Sequence, residues 1–183
     1  MYKLFALMIV LFVCIGVYAQ RDNVRNPFYI GPQLGFYKAA DAEDMNLMYG
    51  AALRLKLTNS LGFEGSINYR QEEFRNGTVK VESWPVMLTG MIYPAEFIYG
   101  AAGVGWYNTK IDYNTQVDQG TKTNQEFGWH FGAGLEIPLG DPVALTGDFR
   151  YVFLDYNFEE VPGAGEINAN FFIITAGLLF RIN

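Results

Sequence analysis

One histidine and one cysteine are all the chain holds of the two side chains that most often act as base and as thiol nucleophile. His130 stands in Gly128-Trp129-His130-Phe131-Gly132. A hydrolase must hold its base within hydrogen-bond reach of a nucleophile. If this segment is a strand, the residue sharing a face with His130 two positions on is Gly132, which has nothing to activate. His130 therefore reads as an interior histidine. Cys14 sits inside an apolar run and reads as a small apolar residue there. Asp112-Tyr113-Asn114-Thr115-Gln116 opens like a calcium loop but lacks the glycine at its sixth position and the closing glutamate, so no metal site is assigned. No catalytic residue and no cofactor-binding residue is assigned either. What remains is ion-pair chemistry: Arg54, Lys56, Glu64, Arg70, Glu136, Asp148, Arg150 and Arg181 each fall, by alternation, on a face with glycines and hydroxyl or amide side chains such as Gln33, Ser66, Asn68, Thr89, Thr146 and Thr175.

The elements that would carry these charges have their faces sorted the wrong way round for water. Phe127, Trp129, Phe131, Ala133, Leu135 and Ile137 alternate with Gly128, His130, Gly132, Gly134 and Glu136. After the turn residues Pro138-Leu139-Gly140-Asp141-Pro142, the residues Val143, Leu145, Phe149, Tyr151 and Phe153 alternate with Ala144, Thr146, Asp148 and Arg150. A hairpin clad in aromatics on one face, with charge on the other, suits a closed barrel with a lipid-facing exterior and a polar interior. Eight strands are predicted, over 28–37, 47–58, 61–70, 81–93, 97–107, 126–137, 143–155 and 170–182. Their connectors alternate between tight turns and longer polar loops at 38–46, 71–80, 108–125 and 156–169. Short turns at one end and long loops at the other fit an all-β, eight-stranded antiparallel up-and-down transmembrane β-barrel. Tyr49, Tyr69, Trp84, Tyr93, Trp106, Trp129 and Tyr151 are expected to form its interfacial girdles. In the strand at 97–107 the two faces compete: Ile98, Val104 and Trp106 against Phe97, Tyr99 and Tyr107.

The first 19 residues read separately. Lys3, the apolar run Leu4 to Val17 and the small-residue end Val17-Tyr18-Ala19 have the form of a cleaved secretory signal peptide. Residues 20–183 then form one barrel domain, without cysteine and hence without disulfides. It carries 12 basic against 19 acidic residues, a balance that argues against a nucleic-acid partner. No later apolar run is long enough for a spanning helix, so entry into a membrane must be by strands.

An eight-stranded barrel is just wide enough for its side chains to fill it, so the inward charges should form a packed network, since an unpaired buried charge is costly. A three-residue turn between Leu57 and Leu61 sets Arg54 opposite Glu64, with Lys56 one diagonal away. If residue 137 pairs with 143, Asp148 and Arg150 lie across from Gly132 and His130.

Four segments make the chain resemble a known group: Gly100-Ala101-Ala102-Gly103-Val104-Gly105-Trp106-Tyr107, Gly132-Ala133-Gly134-Leu135-Glu136-Ile137-Pro138-Leu139, Asp148-Phe149-Arg150-Tyr151, and the closing strand. They resemble the small outer-membrane β-barrel domain family of Gram-negative bacteria, which includes OmpA-like, OmpX-like and opacity-type proteins. The closing strand looks like the assembly signal read by the barrel insertion machinery, with Thr175, Gly177, Phe180 and Ile182 in the family's spacing, though it ends in Asn183 where many relatives end in an aromatic. The resemblance implies an outer-membrane location and partners in outer-membrane lipid, lipopolysaccharide, the insertion machinery and periplasmic chaperones. It also implies a structural or surface-interaction role exercised through extracellular loops, which could meet surface ligands. The family's porin label would imply a minor conduit for small solutes. A lipid-modifying barrel enzyme of the lipid A deacylase kind would resemble a His-x-Ser pattern facing lipid, and this chain has an inward His-x-Gly.

Overall fold

The computed structural model describes residues 27–39, 45–74, 79–114, 119–154 and 170–182. Eight strands follow one another: β1 Phe28–Ala39, β2 Asn46–Lys56, β3 Leu61–Phe74, β4 Val79–Ala95, β5 Ile98–Asn114, β6 Gln119–Gly140, β7 Val143–Leu154 and β8 Phe171–Arg181. Each pairs antiparallel with its neighbour in sequence, and β8 returns to pair with β1, so the sheet closes on itself. Closure leaves no sheet edge exposed around the ring and satisfies the backbone internally, the condition for crossing a bilayer with strands. No helix among the described residues is long and apolar enough to span a membrane. The predicted signal peptide at 1–19 and Asn183 lie outside the described residues.

Alternation sets the two faces. Leu34, Trp129, Phe131, Leu88 and Phe149 are all exposed, while Gln33, Arg54, Glu64, Glu136 and Arg150 are buried. Apolar side chains thus clad the outside and the ionised ones fill the inside. The strand with competing faces resolves with Ile98 and Trp106 outward and Tyr99 and Tyr107 fully buried inside. On the outer wall the Tyr49, Tyr69 and Trp84 rings pack at a tilt across three strands at 5.3 and 5.8 Å, and Trp106, Phe127 and Trp129 continue in edge contacts at 5.9 and 5.7 Å. One expected girdle member differs: Tyr93 is 5% exposed and faces the lumen. Its neighbour Ile92 takes the outward position, and alternation sends the next residue in.

Register follows expectation in one hairpin and departs from it in another. Arg54 stands opposite Glu64 and Leu55 opposite Phe63. Between β6 and β7, Gly132 faces Arg150 and Gly134 faces Asp148, a two-residue shift from the expected pairing, and His130 faces Val152. The cause is the turn: β6 runs on to Gly140, the register shifts between Pro138 and Gly140, and Asp141-Pro142 alone forms the turn. Gly140 has φ 123, a conformation that favours glycine. A shift of two preserves the faces, so the inward set is unchanged.

Strand lengths are unequal. β1, β2, β7 and β8 have 11 or 12 residues, whereas β4 and β5 have 17 and β6 has 22. Much of what reads as loop at 71–80 and 108–125 is ladder, with Glu73 opposite Lys80 and Lys110 opposite Thr123. These stretches are largely polar at both odd and even positions, so no hydropathy alternation marks them, yet the backbone pairs as regularly as in the wall.

Candidate functional site: the lumen

Six ionised side chains form one chain of contacts through the half of the lumen nearest the short turns. Lys56 Nζ lies 2.5 Å from Glu136 Oε1, and Arg54 Nη1 donates to Glu136 Oε2 at 2.7 Å. Arg54 also donates through Nε and Nη2 to Glu64 Oε2 at 2.9 and 2.5 Å. Arg150 Nη2 reaches Glu64 Oε1 at 2.6 Å, and its Nε donates to Asp148 Oδ1 at 2.8 Å. The order Lys56, Glu136, Arg54, Glu64, Arg150, Asp148 alternates in sign throughout. Three cations meet three anions, so each buried charge is compensated, as an apolar-walled interior requires.

The topology gives two of these bonds a structural meaning. β2 and β6 are four strands apart in a ring of eight, as are β3 and β7. Arg54 to Glu136 and Glu64 to Arg150 therefore cross the lumen and join opposite walls. Tyrosines supplement them: Tyr93 donates to Glu136 Oε2 at 2.8 Å, Tyr99 to Asp148 Oδ2 at 3.1 Å, and Arg54 lies 4.8 Å from the centre of the Tyr99 ring.

His130 lies beside this network. Its Nε2 is 2.9 Å from Thr89 Oγ1, which also accepts from Arg150 Nη1 at 3.0 Å, and its Nδ1 is buried without a partner among the described residues. A nucleophile at the next inward position would need a side chain at 132, where an added Cβ would stand 1.9 Å from the carbonyl oxygen of Phe149. The strands β6 and β7 approach too closely there for anything but glycine.

The other half of the lumen is mainly apolar. Tyr37, Met48, Met87, Tyr107, Val152, Leu154, Phe171 and Ile173 form one buried cluster toward the loop end. Arg70 caps it, its guanidinium 4.4 Å from the Tyr37 ring and 4.7 Å from that of Phe171. A polar lumen throughout was the expectation from the sequence; the structure gathers the ion-pair network in the turn half, while toward the loops Asn68, Arg70 and Ser83 are set among apolar side chains. Several inward positions near the loops, Tyr37, Met48, Tyr107 and Ile173 among them, are apolar already in the sequence. Arg181, on β8, sits at the turn end and pairs with Asp141 across the mouth. Of the closing-strand residues, Thr175 and Gly177 face inward and Phe180 and Ile182 outward.

At the turn end the lumen opens into a cavity of about 820 Å³ walled by the three turns. Its depth ends at Lys56, Tyr93 and Glu136. Nothing in the linear chain marks it, because its wall combines residues from five separate segments.

The profile of the outer membrane protein beta-barrel domain family matches residues 5–180. Among solved structures, the chain is similar to Ail, the attachment invasion locus protein of Yersinia pestis, in complex with the heparin analogue sucrose octasulfate. The identity is 15% and the TM-score 0.57, over 86% of this chain and 97% of that one. It is similar to Neisserial surface protein A at 10% identity and TM-score 0.55, over 85% and 97% of the two chains. It is also similar to a major outer membrane protein of Thermus thermophilus at 12% identity and TM-score 0.66, over 87% and 100%. At such identities the likeness is one of fold. No curated protein matches the chain. The closed ring of eight antiparallel strands, the apolar exterior, the ion-paired interior and the match over nearly the whole sequence together make this chain a member of the outer membrane protein beta-barrel domain family, resident in the bacterial outer membrane.

Proposed function

We propose that the protein is a non-enzymatic surface-interaction barrel that presents β3 to β6 outside the cell as an extended sheet. The carrying observation is the asymmetry of strand length. β5 and β6 pair continuously from Ile98↔Leu135 to Asn114↔Gln119, whereas β2 begins only at Asn46, opposite Tyr37, and β8 only at Phe171, opposite Val152, with Met45 and Asn170 outside the strands. One side of the wall thus continues well past the other at the loop end. In outer-membrane barrels the short turns face the periplasm and the longer connections face outward, so the extension is extracellular. A rigid ribbon costs less ordering on binding than a flexible loop would. Proposed partners are outer-membrane lipid and lipopolysaccharide around the wall and surface ligands at the ribbon. The sulfated sugar in the Ail complex makes sulfated glycans one class to assay, although the acidic balance of this chain opposes a polyanion.

Assembly is proposed to depend on the closing strand, with Thr175, Gly177, Phe180 and Ile182 read by the insertion machinery after periplasmic chaperones deliver a chain freed of residues 1–19. The ribbon can be tested on whole cells. An epitope placed between residues 115 and 118 should be reached by antibody on intact cells, and excision of residues 112–121 should abolish binding of cells to their target surface while heat-modifiable migration is retained. An epitope reached only after permeabilisation would overturn the reading.

A further inference from the structure

We propose that the turn-end cavity is a binding site for an organic carboxylate, held between Lys56 and Arg181 beside Tyr29. The cavity, at about 820 Å³, has the size of a small-molecule site. Pro94, Pro138 and Pro142 line its wall and restrict the backbone there, and the strand ends are tied by the backbone bonds from Lys56 N to Pro27 O and from Arg181 N to Pro142 O, at 3.2 and 2.8 Å.

Some polar groups of the wall are already spent and others are not. Glu136 is fully committed, with Oε1 to Lys56 and Oε2 to Arg54 and Tyr93. Lys56 is not: an ammonium has three donors, its contact with Glu136 uses one, and it is the one member of the six-residue chain that is substantially exposed, at 22%. Its Nζ stands 4.7 Å from the Tyr93 ring and 6.0 Å from the Tyr29 ring. Those faces accept no conventional hydrogen bond, so Lys56, which lines the cavity, has donors left for an acceptor there. Arg181 pairs with Asp141 through Nη2 and has further donors in its fork.

β1 brings the two cations together. Tyr29 pairs with Arg181 on the β8 side and with Arg54, two residues before Lys56, on the β2 side. Tyr29, Lys56 and Arg181 all line the cavity. Two cations with unspent donors, flanking one phenol, call for an acceptor that can take two charge-assisted bonds, which a carboxylate does. A multiply charged anion is disfavoured, because Glu96, Glu136 and Asp141 share the wall.

A free small acid and the C-terminus of a peptide would both present this group. The test is an NMR titration of the full-length mature barrel in nanodiscs with acetate, with the tripeptide Ala-Ala-Ala, with its C-terminal amide, and with inorganic phosphate. The expected result is a saturable shift of the amides of residues 56, 59–60, 93–96, 141–143 and 181 with acetate, with the tripeptide, or with both. Saturation by acetate alone identifies a site for free small acids, and saturation by the tripeptide as well identifies one that accepts peptide termini. The amide and phosphate should not saturate. Lys56→Gln and Arg181→Gln should each weaken the response about tenfold, the loss expected for one charge-assisted bond. Arg181→Gln lies at the exposed mouth and leaves the buried network intact, so heat-modifiable migration verifies its fold. An equal response to the amide, saturation by phosphate alone, a response unmoved by Arg181→Gln in the folded barrel, or no saturable shift would each overturn the proposal.

Discussion

At the scale of the residue, Glu64 is the centre of the interior. Its two oxygens serve Arg54 and Arg150 separately, so it holds two cations from opposite directions at 2.5 and 2.6 Å. Glu64→Gln leaves a cation excess in a site 1% exposed, and breaking a buried pair of this kind costs about 3–5 kcal/mol. Urea unfolding of the barrel in lipid vesicles should show that loss. Arg181→Gln removes an ion pair of which Asp141 is 66% exposed, and should cost less than about 1 kcal/mol in the same assay. Equal effects of the two would refute the picture of a central strut and a solvated rim. Gly132 is sensitive for a steric reason: Gly132→Ser would place a hydroxyl two positions from His130, but its Cβ meets the Phe149 carbonyl at 1.9 Å. The expected outcome is a barrel that fails to show heat-modifiable migration, and not a gained hydrolase. These roles were only partly legible in the sequence. Arg54 opposite Glu64 followed from the turn length alone, whereas Arg150 to Glu64 spans 86 positions along the chain, and only barrel closure brings such residues together.

At the scale of the element, alternation carried most of the information. Two apolar-polar periods in register identify β6 and β7, and the other strands of the wall repeat the pattern except β5, where Tyr99 and Tyr107 compete with Ile98 and Trp106. Where the pattern is absent the element disappears from the sequence: the ends of β3 to β6 are largely polar at both odd and even positions, and only the ladder from Trp106↔Phe127 to Asn114↔Gln119 reveals them. The β6–β7 register departs by two for a related reason, since Pro138 and Gly140 both read as turn when Gly140 still pairs with Val143. On the outward face, Leu34 lies near the middle of β1 and is 60% exposed, so in the membrane it contacts lipid. Leu34→Arg should destabilise the barrel by about 2–4 kcal/mol if it stands at the bilayer midplane, falling toward zero nearer an interface. Folding titrations in vesicles measure this directly, and a neutral result would mean that the outer face of β1 is not against hydrocarbon.

At the scale of the whole molecule, the lumen is two plugs in series. An ion entering from the turn end crosses the cavity and meets Lys56 and Glu136, then the cross-lumen bonds of Arg54 and Arg150. Beyond these it meets the apolar cluster of Met48, Met87, Ile173 and their neighbours, capped by Arg70. The two obstacles act differently, because ion pairs can exchange partners while a packed apolar layer excludes water outright. Opening the charged half alone therefore should not open a path. Planar-bilayer recording should show no stable conductance steps from the purified barrel, and none from Arg54→Gln or Glu64→Gln in the fraction that folds. Stable steps in the native protein that vanish in those variants would show that the charged half gates a real conduit. In that case the interior would serve small-solute passage and not only hold the walls together, and the apolar half would have to part as well.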